Sequence, residues 1–290
     1  MTPEMPGISV IVAVLNHSRN VERCIASVAG QTHQRKELIV IDGGSTDGTI
    51  EILRRWKQDI SYWVSEPDKG ISDAWNKGLA HATGDWICFL GADDYLTDPT
   101  VLADVAARLS KAPPRHLVAY GDVIIVDDSG DLIERSGAPW DRGRFSRWGM
   151  TFSHQGVFHH RPLFALLGPF DTTYRFAGDY EWLLRAVSRT EPLYLGGITV
   201  AAMQTGGLSN DDANGIRILR EYARAQRRHL GRTVPWALGW TAAKATVKLA
   251  LLGTIGEQRT RHMIDWYRAS TGRPPRSKNT QRTKREAPWP

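Results

Sequence analysis

The chain has 290 residues, of which 41% are hydrophobic and 23% charged, and a net charge of +6. That length buries a full core, as one large α/β domain or a domain with an appendage, and the composition is that of a soluble globular protein rather than a disulfide scaffold. The charge is uneven: from Arg217 onward 17 Lys and Arg stand against 4 Asp and Glu, so an acidic body precedes a basic tail.

Apolar runs predict strands at 8–15, 37–41, 62–64 and 86–90, and helical patterns fill 19–29, 49–58 and 71–82 between them. Such alternation argues for a largely parallel sheet. A strand is expected over 117–126, a hairpin turn at Asp127-Asp128-Ser129-Gly130 and a return strand over 132–135. A helix follows Gly178, and 215–229 reads as a helix basic on one side. Within 234–252, Trp236, Trp240, Ala243, Val247 and Leu251 form an apolar stripe beside Lys244 and Lys248. That pattern is either an amphipathic helix in a lipid headgroup layer or a helix docked on the domain, and two lysines argue against a spanning segment. Residues 273–290 are polar and without apolar period, and are expected to be disordered. Cys24 and Cys88 each sit in apolar segments with no metal spacing, which fits a reducing cytosol. The N-terminus lacks the basic start of a signal peptide, and its apolar run ends at Asn16.

The strand ends carry the chemistry. The run from Trp86 to Leu90 stops in Gly91-Ala92-Asp93-Asp94. Adjacent carboxylates repel unless a cation lies between them and an anion, and oxygen ligands of this kind suit Mg²⁺ or Mn²⁺ bridging to phosphates. An Asp-rich turn before a helix near Asp98-Pro99 is the alternative. The second strand ends in Asp42-Gly43-Gly44-Ser45-Thr46-Asp47-Gly48, where glycines admit a ligand closely and Asp42 can accept from a nucleobase, or where Asp47 simply caps the next helix. Asn16 ends the first strand, and Asp68 with Asp73 and Asn76 follows the third. Polar turns in phase with the sheet suggest a nucleotide-diphosphate site with a metal.

With Asp42 through Thr49, Asp68-Lys69-Gly70-Ile71-Ser72-Asp73-Ala74, and Gly84-Asp85-Trp86 through Asp94, the chain resembles the family 2 glycosyltransferases of the GT-A fold. Tyr120-Gly121-Asp122, Ser153-His154-Gln155, Gly168-Pro169-Phe170-Asp171, Gly178-Asp179-Tyr180-Glu181 and Gly206-Gly207-Leu208-Ser209 extend the likeness over about residues 8–210. It is nearest to bacterial enzymes of exopolysaccharide, colanic-acid-type and mycobacterial phenolic-glycolipid synthesis.

The resemblance implies a Rossmann-like nucleotide-sugar-binding fold over 1–212, a mostly parallel sheet flanked by helices; beyond it, composition and pattern read as a basic, Trp-containing helical extension over 213–272 and a disordered basic tail over 273–290. It implies that Asn16, Asp42, Gly43, Asp68, Asp73, Asn76 and Asp93 bind the nucleotide sugar. Asp93 and Asp94 would hold a divalent cation, although Gly91 stands where the family's metal motif usually begins with Asp. Asp179 matches the general base, with Glu181 the runner-up, and His154 and Gln155 fit the acceptor side. The expected activity is inverting transfer from a nucleotide-diphosphate sugar to a hydroxyl of a glycan or lipid-linked acceptor. Such a protein would work in the cytoplasm, at the membrane's cytoplasmic face, with peripheral contact to anionic lipid and no nucleic acid partner. A polyprenyl-phosphate sugar synthase and a non-catalytic nucleotide-sugar-binding protein are the alternatives. A processive synthase is disfavoured by the missing Gln-x-x-Arg-Trp motif, and a nucleotidyltransferase by the missing basic Gly-rich loop after strand one.

Overall fold

A computed structural model describes residues 4–127, 129–204 and 215–231, with single positions at 254 and 259. The first half follows the alternation in the sequence: β1 (Ile8–Val14), α1 (Val21–Ala29), β2 (Lys36–Asp42), α2 (Thr49–Arg55), β3 (Tyr62–Ser65), α3 (Ile71–Leu79) and β4 (Trp86–Gly91). These strands lie side by side in the order β3-β2-β1-β4, all parallel, with Ile8 paired to Lys36 on one side and to Trp86 on the other.

Strand residues alternate between two faces, and here both faces are covered. Val10, Val12, Val40, Cys88 and Leu90 pack on one side against Val21, Cys24 and Ile25 of α1. Ile11, Ile39, Ile41, Ile87 and Phe89 pack on the other, against Ala74 and Trp75 of α3. This two-sided burial is why the strands read as continuous apolar runs. Both cysteines are buried and free.

The sheet as a whole is mixed, with six of its nine strands running one way and three against them. After β5 (Tyr95–Leu96) and α4 (Val101–Leu109), β6 (Val118–Val126) pairs antiparallel with β7 (Leu132–Ser136) in the expected hairpin. Of that turn, Asp128 lies outside the described residues. The chain continues through α5 (Arg142–Trp148) and a single 3-10 turn (His154–Gly156) into β8 (Val157–His160). This short strand inserts antiparallel between β4 and β6, which therefore run in the same direction on either side of it. Then come α6 (Pro162–Leu167), α7 (Gly178–Val187), β9 (Leu193–Gln204) and α8 (Gly215–Leu230). β9 runs parallel to β6 and antiparallel to β5. Helix α8 packs on α7, with Ala223, Ala225 and Gln226 buried.

The 206–209 motif, the 234–252 stripe and the 273–290 tail lie outside the described residues. Among those described, no helix is long and apolar enough to cross a membrane.

Candidate active site

The loops leaving the parallel strands are tied to one another. Val14 pairs with Asp42 and Asp42 with Ser65, so β1, β2 and β3 end at one level. The Asp42 side chain is fully buried and accepts from Gly44 N (3.1 Å), Ser45 N (2.9 Å), Ser65 Oγ (2.6 Å) and Ser45 Oγ. Ser45 Oγ in turn accepts from Asn16 N at 2.7 Å, and Asn16 Oδ1 accepts from Thr46 N at 2.9 Å. Asn16 has φ 53°, a left-handed conformation that Asn tolerates better than most residues. Asp68 Oδ1 accepts from Gly70 N at 2.8 Å. Its Oδ2 lies 2.6 Å from where a Cβ on Gly43 would stand, so a larger residue there would push this carboxylate aside. Asp47 does anchor the start of α2: its carboxylate accepts from Thr49 Oγ1 and N and from Ser18 N, and these bonds hold its pKa well below the carboxylate range.

Two of the residues expected at the donor have partners within the protein. Asp42, read as facing a nucleobase, has its oxygens occupied by the loop it organises. Asn76, read as a donor-binding residue, gives both ends of its amide to Phe170, donating to its carbonyl and accepting from its N–H, each at 2.9 Å. It staples α3 to the segment before α7. Asp73, in the first turn of α3, accepts from Lys69 N at 3.1 Å and lies 3.8 Å from Lys77 Nζ.

At the end of β4, Asp94 is only 2% exposed and its Oδ2 accepts from Gly91 N at 3.0 Å. Burial, and then the charge of Asp93, push its pKa up to about 7. The Gln155 side chain and the Gln204 backbone approach it and pull the other way, yet Asp94 Oδ1 is buried and closes no hydrogen bond. A Cβ on Gly91 would stand 2.7 Å from Asp94 Oδ2 and 2.9 Å from Asp93 Oδ1. The glycine therefore keeps open a cradle that both carboxylates share. An orphaned buried oxygen beside such a cradle fits a hard divalent cation. Among the described residues no group of three or more His, Cys, Asp or Glu converges on one point, and those residues offer two carboxylates at this cradle.

A cavity of about 660 Å³ opens beside this strand end. Gly91 of β4, His154 and Gln155 of the 3-10 turn, Asp179 of α7 and Tyr222 of α8 all line it, over an apolar floor of Trp75 and Phe89. Asn16, Asp42 and Asp68 are not in its wall. His154 is buried between Trp75 and Phe89, and burial holds its pKa well below 6.5, so the ring is neutral at pH 7. Its Nε2 has no hydrogen-bond partner.

Asp179 sits in the first turn of α7, half-buried, with Oδ1 accepting from Tyr180 N at 2.7 Å. Burial, aided by the nearby Glu221 charge, pushes its pKa up to about 6. Such a carboxylate is ionised at neutral pH yet a stronger base than an exposed one. Glu181, the runner-up base, points elsewhere: it is 1% exposed, with Oε2 3.0 Å from Arg185 and Oε1 2.7 Å from His229 Nε2 on α8. It is a buried link between two helices, two residues past Asp179.

The sequence reading missed the cavity's cationic wall, Arg144 and Arg175, and the contribution of α8 through Tyr222. None of these belongs to a recognisable motif, and the period of α8 is that of any amphipathic helix.

A mixed α/β sheet with acidic loops at its parallel strand ends and a carboxylate-bearing cavity beside them is the GT-A architecture of glycosyltransferases. The chain belongs to glycosyl transferase family 2, whose model matches residues 9–164, and it is a glycosyltransferase. It is similar to the PGL/p-HBAD biosynthesis glycosyltransferase of Mycobacterium tuberculosis, 35% identical over 212 residues, covering 71% of this chain and 80% of that one. Among solved structures it resembles the mannosyltransferase PcManGT from Pyrobaculum calidifontis in complex with GDP-Man and Mn²⁺. There the TM-score is 0.62 at 20% identity, over 95% of this chain and 83% of that one. S. aureus TarS 1-349 in complex with UDP-GlcNAc aligns with a TM-score of 0.61 at 16% identity, over 83% and 71%. In the longer TarS structure the shared part is 39% of that chain.

Proposed function

We propose that the protein transfers a sugar from a nucleotide-diphosphate sugar to a hydroxyl of a glycan or glycolipid acceptor, with inversion at the anomeric carbon. The observation that carries this reading is that Asp179, a carboxylate whose pKa is raised to about 6, shares one cavity with Gly91, the residue that seats the Asp93–Asp94 pair. The donor class is supported by the nucleotide sugars bound to PcManGT and TarS, and the acceptor class by the glycolipid pathway named for the mycobacterial relative.

The nucleoside lies over the loops after β1, β2 and β3. Asn16, Gly43 and Asp68 border it, Asp73 stands at its far edge, and Asp42 acts by holding the loop shape. The sugar and the acceptor meet in the cavity, with His154 and Gln155 on the acceptor side. Asp179 accepts the proton of the attacking hydroxyl, whose oxygen displaces the diphosphate from the opposite face of the anomeric carbon. Asp93 and Asp94 are the residues that would hold a divalent cation, Mn²⁺ or Mg²⁺, which when bound neutralises charge growing on the departing diphosphate. The buried apolar floor of Trp75 and Phe89 excludes water from that charge. Residues 1–212 carry the reacting groups, α8 backs the site through Tyr222, and the basic residues beyond Gly231 bring it to an anionic membrane face.

The test is a panel of UDP-, GDP- and dTDP-sugars with and without Mn²⁺, read as nucleoside diphosphate released and as the anomeric configuration of the product by NMR. A product with retained configuration, or a donor turned over equally well after Asp179→Asn, would sink the reading.

A further inference from the structure

The segment that delivers Asp179 is held from outside the sheet. Arg175, Phe176 and Ala177 lead into α7, which begins at Gly178, so their N–H groups lie ahead of the helix and outside its hydrogen-bond ladder. Ala177, at the cap position, has no side-chain oxygen to serve them. All three instead donate to one remote carboxylate: Arg175 N to Glu221 Oε1 at 2.9 Å, and Phe176 N and Ala177 N to Glu221 Oε2 at 2.8 Å each.

Glu221 belongs to a stripe of α8 that grips the whole segment. Arg224 Nη2 donates to Thr173 Oγ1 at 2.6 Å, and its guanidinium lies 4.2 Å from the Tyr174 ring centre. Arg228 Nη1 meets Asp171 Oδ2 at 2.8 Å. On the adjacent face the Tyr222 ring lies 4.4 Å from that of Tyr180, and buried Gln226 donates to the Tyr180 hydroxyl at 2.8 Å. Tyr222 also lines the cavity. So α8, which lies beyond the part of the chain that matches the family, forms the back wall of the site.

We propose that Glu221 is a positioning residue for the transfer reaction: its carboxylate gathers the N–H groups of residues 175–177 and thereby sets where Asp179 stands in the cavity. This rests on the reading of Asp179 as the base. Three charge-assisted bonds fix the chain two residues before the base, and a base displaced by a fraction of its hydrogen-bond length loses its proton transfer. Glutamine cannot replace the carboxylate fully. It offers one acceptor oxygen and turns an N–H donor toward a backbone donor.

The experiment compares wild type, Glu221→Gln, Glu221→Ala and Asp179→Asn with the donor that wild type turns over best among UDP-glucose, UDP-N-acetylglucosamine and GDP-mannose. Glu221→Ala should lower kcat by roughly 10²-fold with donor KM unchanged. Glu221→Gln should lose less, and the acid limb of its pH profile should move to lower pH, because a negative neighbour of Asp179 is gone. Hydrogen exchange at residues 175–179 should quicken in both. If Glu221→Ala does not fold, Glu221→Gln decides alone. A lower melting temperature in Glu221→Gln with wild-type kcat and an unmoved acid limb, while Asp179→Asn is inactive, would make Glu221 merely structural and overturn this inference while leaving the base in place. A fully active Asp179→Asn would instead overturn the base assignment, and this inference with it.

Discussion

At Asp179 the surroundings oppose ionisation, chiefly through burial and then through Glu221, and the carboxyl titrates near 6 instead of its ordinary 3.8. For a base the sign is direct: below about pH 6 the carboxyl is protonated and cannot take the acceptor's proton. The acid limb of kcat is therefore expected near pH 6, and Asp179→Asn should lower kcat by roughly 10²–10⁴. For stability the sign is opposite to that of a salt-bridged Asp. The folded state favours the protonated form, so this residue's contribution is full at low pH and is lost as pH rises through 6. Asp179→Asn is thus expected to melt slightly higher than wild type at pH 8, and a lower melting point there would contradict the burial argument. Gly91 yields a second residue-scale expectation. Since a Cβ there meets both Asp93 and Asp94, Gly91→Asp should not strengthen metal use by completing the usual motif. It should displace both carboxylates and reduce the Mn²⁺-dependent thermal shift, as should Asp93→Ala. A larger Mn²⁺ response in Gly91→Asp would show that the cradle is not the cation's seat.

Among the elements, α7 faces two ways: its first turn presents Asp179 to the cavity, and its next residues bury Glu181 between Arg185 and His229. Removing His229 leaves Glu181 Oε1 buried without its hydrogen-bond partner, while Arg185 still pairs the other oxygen. His229→Ala should cost roughly 1–3 kcal/mol of stability, measured by urea unfolding, while kcat of the folded enzyme stays within a few-fold. Loss of kcat in Glu181→Gln without loss of stability would return Glu181 to the chemistry. These elements also explain what the sequence revealed. The parallel half was legible because strands covered on both faces are long apolar runs ending in polar turns. Its antiparallel partner was not: β8 is only Val157–His160, β5 is two residues, and neither shows a period. The Asp93–Asp94 pair stood out in the sequence because like charges at a strand end have no packing cause, and the structure gives their neighbour Gly91 no room for a Cβ. The bond from Asn76 to the Phe170 backbone was not legible, because its partner is 94 residues away. Glu221 left no signal, since a carboxylate on a basic amphipathic helix looks solvated.

The molecule as a whole divides by charge. Residues 232–290 contain 12 Lys and Arg against 3 Asp and Glu, whereas the body carrying the cavity is acidic. Near an anionic leaflet each basic residue contributes about 1 kcal/mol, and salt screens it within a Debye length. Trp236, Trp240 and Trp266 add apolar surface suited to the headgroup layer. Helix α8 separates the two roles, because it is bonded to the site and precedes the basic tail. Two truncations should therefore behave differently. A chain ending at Gly231 keeps Glu221, Tyr222 and His229, and should retain donor turnover toward a water-soluble acceptor while losing co-sedimentation with anionic vesicles. A chain ending before Gly215 should lose turnover as well. The full chain should bind vesicles of anionic but not neutral lipid, and less at high salt. Vesicle binding that survives truncation at Gly231 would place the membrane contact on the body, and full turnover in the shorter chain would detach α8 from the reaction.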